Sequence, residues 1–405
     1  MGTAPPTYTE DVMGLDVAAV QQTLQQKGLD GWLLYDFHGS NPIASSLAGL
    51  AGGGHMTTRR WYYLVPAQGE PRGLVHAIER HNLDALPGEK LVYAGRQELH
   101  AGLSQLLTGL TRVAMEYSPD CAIPYLSRVD AGTAEAIRRH GVEIVSSGDL
   151  VQRFEAAWSR AQLDTHLSAS EALHRIKDRA FAAAAAALAA GRPLSEYDLQ
   201  QAMVGWFADE RLVSDSAPVV AIGANAGDPH YLPSGARSVP IGPDEVLLLD
   251  LWGKHDTPGA VYADITWVGF TGSRVPDEVS DAFRAIAGAR DTAVALVQDS
   301  AAAGRELRGF EVDLAARGVL EAAGYGRRIL HRTGHSLGEN VHGNGVHLDD
   351  FETHDDRRLL AGTGFTIEPG LYFESFGVRT EINMYRDERA ALVTGPRQAE
   401  VVTLS

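Results

Sequence analysis

The stretch V246-LLLDLWGKHDTPGAVYADITWVG-F270 decides the reading of this chain. It contains two strand-like apolar runs, VLLLD and AVYADITWVGF, separated by a polar turn around KHDTPG. Each run carries one acid. Asp250 is read as closing the first strand, and Asp264 as sitting within the second. An ionised carboxylate buried in a strand is costly unless it is paired or bound to a metal. The two acids are fourteen positions apart. A hairpin joining the two strands would bring both to one side, where one carboxylate could bridge two ions. Asp256, in the turn, is read as a solvent-facing residue.

Further along, three segments place similar chemistry in similar surroundings. They are R332-TGHSLGENV-H342, G364-FTIEPGLY-F373 and G377-VRTEINM-Y385, which contribute His335, Glu368 and Glu381. Carboxylate and imidazole donors suit manganese, cobalt, zinc or iron better than a thiolate-seeking metal. Histidines 331, 335, 342, 347 and 354 crowd one short segment. The glycines there let the backbone run close to a substrate. His335 is read as the ligand and His342 as substrate-facing, with His331 behind them. His347 and His354 are read as ordinary surface residues. Arg379 lies two residues before Glu381, so on one strand the two share a face. From there Arg379 can orient the acid or hold a substrate carboxylate. His230, in GDPHYLP, sits in a stiff loop between prolines. A pair of divalent ions acidifies a water and polarises a carbonyl, and a neighbouring carboxylate passes the proton on. Metal-assisted amide hydrolysis is therefore the expected reaction.

At 405 residues, two domains are expected. Residues 1–160 alternate strands (31–37, 60–67, 71–78, 90–95, 111–118 and 142–147) with helices such as 15–28 and 126–141, the pattern of an α/β domain. The Gly/Ser-rich stretch 39–55 is read as a loop, and it lacks the lysine of a phosphate-binding loop. Residues 161–405 form the second domain, entered through a helical, alanine-rich segment that stops at Gly191. This domain repeats itself. AAGRPLSEYDLQQAMVGWF (189–207) matches AAGRELRGFEVDLAARGVL (302–320), and acid-bearing strands follow each copy. Two related halves about a shared cleft are expected. Ser195 is read as a helix cap, with Asp198 completing it.

The net charge of −17 leaves no basic excess for nucleic acid. No apolar run approaches the length of a membrane span, and the first fourteen residues show neither a secretory leader nor an acylation pattern. A single cysteine, Cys121, excludes an internal disulfide framework and suits a reducing cytoplasm.

Taken in order, Asp250, Asp264, His335, Glu368 and Glu381 resemble the dinuclear ligand set of the pita-bread metallopeptidases, the family of aminopeptidase P and prolidase. The segment His331-Arg-Thr-Gly-His335-Ser-Leu-Gly338 through His342 is similar to the signature those two branches share. The resemblance extends over nearly the whole chain, because a creatinase-like N-terminal domain fits the first part. That domain sets the chain apart from the short methionine aminopeptidases. The resemblance implies a pita-bread catalytic domain with a pseudo-twofold repeat, and two divalent ions (manganese, with cobalt or zinc as alternatives). It implies cleavage of the bond before proline in short peptides, and a homodimer. It also implies Glu368 as the proton-shuttling ligand, His230 and His342 as substrate contacts, and Arg379 as the family's arginine. A Xaa-Pro dipeptidase is the leading expectation. An aminopeptidase P acting on longer peptides comes second. A lyase or hydrolase of a non-peptide osmolyte and a non-catalytic binding protein represent other classes.

Three departures stand out. The two aspartates lie farther apart than is usual, which should place the extra residues at the cleft rim. Gly343 stands where an acid is usual, and Glu339 where an apolar residue is. Tyr262 is displaced by one position relative to Asp264. None of these removes a ligand, which argues against the metal-free members of the fold.

Overall fold

A computed structural model describes residues 15–51 and 56–404. Residues 1–14, residues 52–55 of the glycine-rich segment and residue 405 lie outside the described residues. The chain divides into two compact units, Met1–Ala156 and Ala157–Ser405.

The first unit is a mixed six-stranded sheet. Its strands are β1 (Gly31–Asp36), β2 (Trp61–Pro66), β3 (Arg72–His76), β4 (Glu89–Tyr93), β5 (Arg112–Met115) and β6 (Glu143–Ser146). Their order is β4-β3-β2-β1-β5-β6. Both central strands are buried along their whole length, which is why they read as unbroken apolar runs. Helices α1 (Val17–Lys27), α2 (Pro42–Leu47), α3 (Arg96–Leu107), α4 (Ala131–Arg138) and α5 (Gly148–Val151) accompany the sheet. Two expectations change here. The segment read as a loop holds α2, because Asn41 caps it by accepting from Ala44 N–H and Pro42 occupies its first turn. The helix expected over 126–141 starts only at Ala131, where Asp130 supplies the cap that its earlier residues lack.

The second unit repeats one plan. Helix α6 (Arg160–Ala189) is followed by α7 (Glu196–Asp209), and α8 (Asp277–Ala302) by α9 (Gly309–Ala322). Both long helices stop in the same way. Gly191 and Gly304 adopt left-handed φ of 57° and 63°. The next residue then bonds back, Arg192 N–H to Ala187 and Arg305 N–H to Ser300, both at 2.9 Å. Ser195 caps α7 in a reciprocal arrangement with Asp198.

Between the first helix pair and the second lie β7 (Leu212–Val213), β8 (Val219–Ile222), β9 (Val246–His255) and β10 (Ala263–Phe270). After the second come β11 (Ser336–Leu337), β12 (Thr363–Ile367), β13 (Gly370–Tyr372), β14 (Gly377–Arg379), β15 (Ile382–Arg386), β16 (Ala391–Val393) and β17 (Val402–Thr403). They form sheets ordered β17-β10-β9-β7 (with β8 also on β9), β11-β12-β15-β16, and the β13-β14 hairpin. Small residues on the helices, such as Ala282, Ala289, Ala293 and Ala316, are fully buried in the core beneath these sheets. Among the described residues no helix is long and apolar enough to cross a membrane.

Candidate metal centre

The hairpin β9–β10 is the floor of the site. Its register pairs Asp250 with Thr266 and Trp252 with Asp264. Side chains alternate along a strand, so Asp250, Asp264 and Thr266 all project from one face. The positions of the two acids within their strands are the reverse of the reading above. Asp250 lies inside β9, because pairing with β10 and β7 carries the strand on to His255. Asp264 is the second residue of β10. Asp256 is exposed in the turn.

Three other segments converge on this face. His335 precedes β11; its N–H donates to Thr366 Oγ1 and its carbonyl accepts from Thr366 N–H, which fixes its backbone. The ring Nε2 lies 3.4 Å from Glu368 Oε1 and 3.6 Å from Asp264 Oδ2. Glu368 follows the end of β12, with its N–H on the Thr333 carbonyl. Glu381 lies between β14 and β15, and Thr266 Oγ1 is 2.7 Å from its Oε2. Arg379 and Glu381 were expected to share one strand. The strand in fact breaks between them, yet both reach Thr266: Arg379 Nε donates to its hydroxyl at 2.9 Å. The same hydroxyl lies 3.1 Å from Asp250 Oδ1. It has one proton, so it serves either Asp250 or Glu381 at any moment.

All five expected ligands therefore gather in one cluster. Within it, Asp264, His335 and Glu381 each offer a donor atom within 4.8 Å of the others. Asp264 Oδ1 and Glu381 Oε1 are buried and, among the described residues, accept no hydrogen bond. Buried carboxylate oxygens normally have partners. Two left open beside one imidazole are what a divalent cation requires. The electrostatics agree. Burial, then the neighbouring acids, push Asp264 and Glu381 well above the usual carboxylate range. Burial also lifts Asp250, against the pull of Arg379. At Glu368 burial is outweighed by His335, His331 and Arg379, which hold it below its ordinary value. These shifts have distinct causes, and they leave Glu368 as the group that is most readily ionised.

The expected substrate contacts fall in different places. His342 is exposed, its ring edge-on to His335 with centroids 4.3 Å apart. His230 is exposed in the loop after residues 223–227, its N–H on Asp228 Oδ1. Among the described residues, no hydrogen bond, ion pair or ring contact joins its ring to the cluster. Arg379 is buried. It donates to Asp250, to Thr266 and, at 3.1 Å, to Tyr372 Oη, so much of its donor set is committed within the protein. Tyr372 in turn lies 2.7 Å from His331 Nε2.

One histidine is corrected outright. His347, read as a surface residue, is fully buried. Its N–H donates to Asp355 at 2.8 Å, and its Nδ1 accepts from Ser336 N–H. Asp355 and Arg357 pair in the interior, and Arg357 also grips the carbonyls of Asn344 and Gly345. Loop-like composition concealed this polar core. The unusual Gly343 has a reason too: a Cβ there would lie 2.9 Å from Ser336 Oγ and 3.1 Å from the Leu337 carbonyl carbon.

Thr266, Thr366, Tyr372 and Asn383 were not singled out from the sequence. Asn383 accepts the Asp264 N–H at 3.0 Å. Only Thr266 left a signal, because it follows Asp264 by two positions and so shares its face.

The pattern of metallopeptidase family M24 matches residues 169–388. A Xaa-Pro dipeptidase of Lactobacillus delbrueckii subsp. lactis is 32% identical over 164 residues, 40% of each chain. The match thus spans about two fifths of the length of that curated relative. Among solved structures, dipeptidase PepE from Mycobacterium ulcerans superposes with a TM-score of 0.71 at 24% identity, covering 96% of each chain. A prolidase from Thermococcus sibiricus gives 0.65 at 20% identity, over 97% of this chain and 100% of that one. These two likenesses establish the shared fold.

Proposed function

The chain belongs to metallopeptidase family M24, and on that premise we propose that it is a Xaa-Pro dipeptidase, hydrolysing the amide bond before proline in short peptides. The observation that carries this reading is the pair of buried, unpartnered oxygens on Asp264 and Glu381 beside His335. The name of the lactobacillar relative supplies the substrate class.

The donor set fits divalent cations, with manganese as the first choice and two ions held by Asp250, Asp264, His335, Glu368 and Glu381. When bound, such ions acidify a water and polarise the scissile carbonyl. The protein's own groups do the rest. Glu368, which burial would raise but His335, His331 and Arg379 hold below its ordinary carboxylate value, takes the proton of the attacking water and returns it to the leaving amide nitrogen. Arg379 keeps Asp250 in place through a charge-assisted contact, while Tyr372 and Thr266 hold the guanidinium. His342 and His230, both open to solvent, orient the peptide.

The test is proline release from Leu-Pro and from Leu-Pro-Gly by chelator-stripped protein refilled with manganese. Cleavage of Leu-Pro alone is expected. Cleavage mainly of the tripeptide would replace the dipeptidase with an aminopeptidase P. Turnover of neither peptide by metal-loaded protein would sink the peptidase reading and direct attention to non-peptide substrates.

A further inference from the structure

The loop that carries His230 is held from two sides by groups outside the acid cluster. On one side stands Glu196, the first residue of α7, which is fully buried. Its Oε1 accepts from Ile222 N–H at 2.8 Å and from the Asn225 amide at 3.0 Å. Its Oε2 accepts from the Tyr231 hydroxyl at 2.5 Å, from Val239 N–H at 3.1 Å and from the Asn225 amide at 3.2 Å. These partners lie before, beside and after His230 in the chain. On the other side the backbone is wedged. A Cβ on Gly227 would lie 2.3 Å from the Phe373 carbonyl oxygen, and one on Gly377 1.9 Å from that of Ala226.

The internal repeat shows what is particular here. Ser195-Glu196 aligns with Arg308-Gly309. In the second copy a Cβ on Gly309 would lie 2.0 Å from the His347 carbonyl oxygen, so α9 presses its backbone against the segment that follows His342. There the segment's own Asp355 supplies the buried acceptor. In the first copy the helix reaches the loop through the Glu196 carboxylate, and its first N–H also donates to the Val239 carbonyl at 3.1 Å. Each half thus fixes one histidine-bearing loop, by different chemistry.

We propose that Glu196, acting through Tyr231, is a positioning residue for His230 and thereby sets how tightly the peptide is held. This rests on the reading of His230 as a substrate contact. Hydrogen bonds to a carboxylate are among the stronger ones in a protein. Residues 228 and 230 are exposed, and the His230 N–H is held only locally by Asp228, so the tether at Tyr231 is what joins this turn to the core.

Tyr231→Phe keeps the ring in the core and removes one bond. In the metal-stripped full chain, amide exchange over residues 223–239 should quicken about tenfold while β9 and β10 keep their protection, as loss of one strong bond implies. Unchanged exchange overturns the tether. In manganese-loaded protein, KM for Leu-Pro should rise about tenfold with kcat unchanged, as for removal of binding alone. His230→Ala should do the same, and the double variant should be no worse than either. Full additivity overturns the inference, because the effect would then bypass His230. If His230→Ala leaves KM unchanged although exchange quickens, the substrate-contact reading has failed, and the positioning role fails with it.

Discussion

Glu116 in the N-terminal unit and the Asp264 and Glu381 pair in the second are all buried carboxylates, and their oxygens are finished differently. In the N-terminal unit Glu116 is fully buried, yet each oxygen is satisfied. Oε1 accepts from Trp32 Nε1 at 2.8 Å and Ser147 Oγ at 3.0 Å, and Oε2 from Asn41 at 2.8 Å. In the second unit Asp264 and Glu381 are equally dry and each keeps one oxygen with no donor. Burial lifts all three above the ordinary carboxylate range. A raised pKa therefore does not separate scaffold from site. The open carboxylate oxygen is what sets Asp264 and Glu381 apart from Glu116, because buried carboxylate oxygens normally have partners.

The strongest way to break this contrast is to remove ligands on the open side. His335→Ala or Glu368→Ala should lower kcat/KM for Leu-Pro by about 10³-fold or more, with far-ultraviolet circular dichroism unchanged. Near-native turnover in either variant would dismantle the site. Glu116→Ala should do the opposite. It should leave kcat intact and destabilise the N-terminal unit by about 3 kcal/mol, because three buried donors lose their acceptor. Urea unfolding followed by Trp fluorescence reads this, and a change below about 1 kcal/mol would show that the network is not structural.

A buried histidine sharpens the satisfied side. His166 has its Nδ1 2.7 Å from the Tyr262 carbonyl and its Nε2 2.7 Å from the Thr394 hydroxyl. Donating to one and accepting from the other requires the neutral ring. Burial holds its pKa down at about 4, against 6.5 for the free group. The unfolded chain then binds more protons between these values, so stability rises with pH across that window. It is lost as pH falls through it, by up to about 3 kcal/mol. Melting of wild type and His166→Gln from pH 4 to 7 should show a shallower slope in the variant; equal slopes would assign the dependence to other groups. The smallest effect is expected at Thr266→Val, which removes the hydroxyl shared by Arg379, Asp250 and Glu381. Manganese affinity measured by calorimetry should fall about tenfold. An unchanged affinity would mean that the carboxylates are aimed without it.

Much of this was legible in advance. The six N-terminal strands stood out as apolar runs between turn residues, and the two helix pairs as a repeated Ala-Gly-Arg stop. All five acid and histidine positions of the cluster were visible as polar residues in apolar settings. What misled was equally local. His347 was read as a surface residue, and nothing in its neighbourhood of the chain pointed to the buried Asp355–Arg357 pair beside it. The acid at the end of the apolar run VLLLD was read as a strand end where β9 runs on to His255.

The sequence by itself determined the fold class, the repeat and the identity of the donor groups, because periodicity, capping and turn chemistry act over a few residues. Only the tertiary structure decided which donors are open. Arg379 is committed to Asp250 across 129 residues, and Thr266 reaches Glu381 across 115. Glu196 meets Val239 across 43. Whether a buried oxygen has a partner depends on chain segments that meet only on folding, and among the described residues those segments leave one oxygen open on Asp264 and one on Glu381.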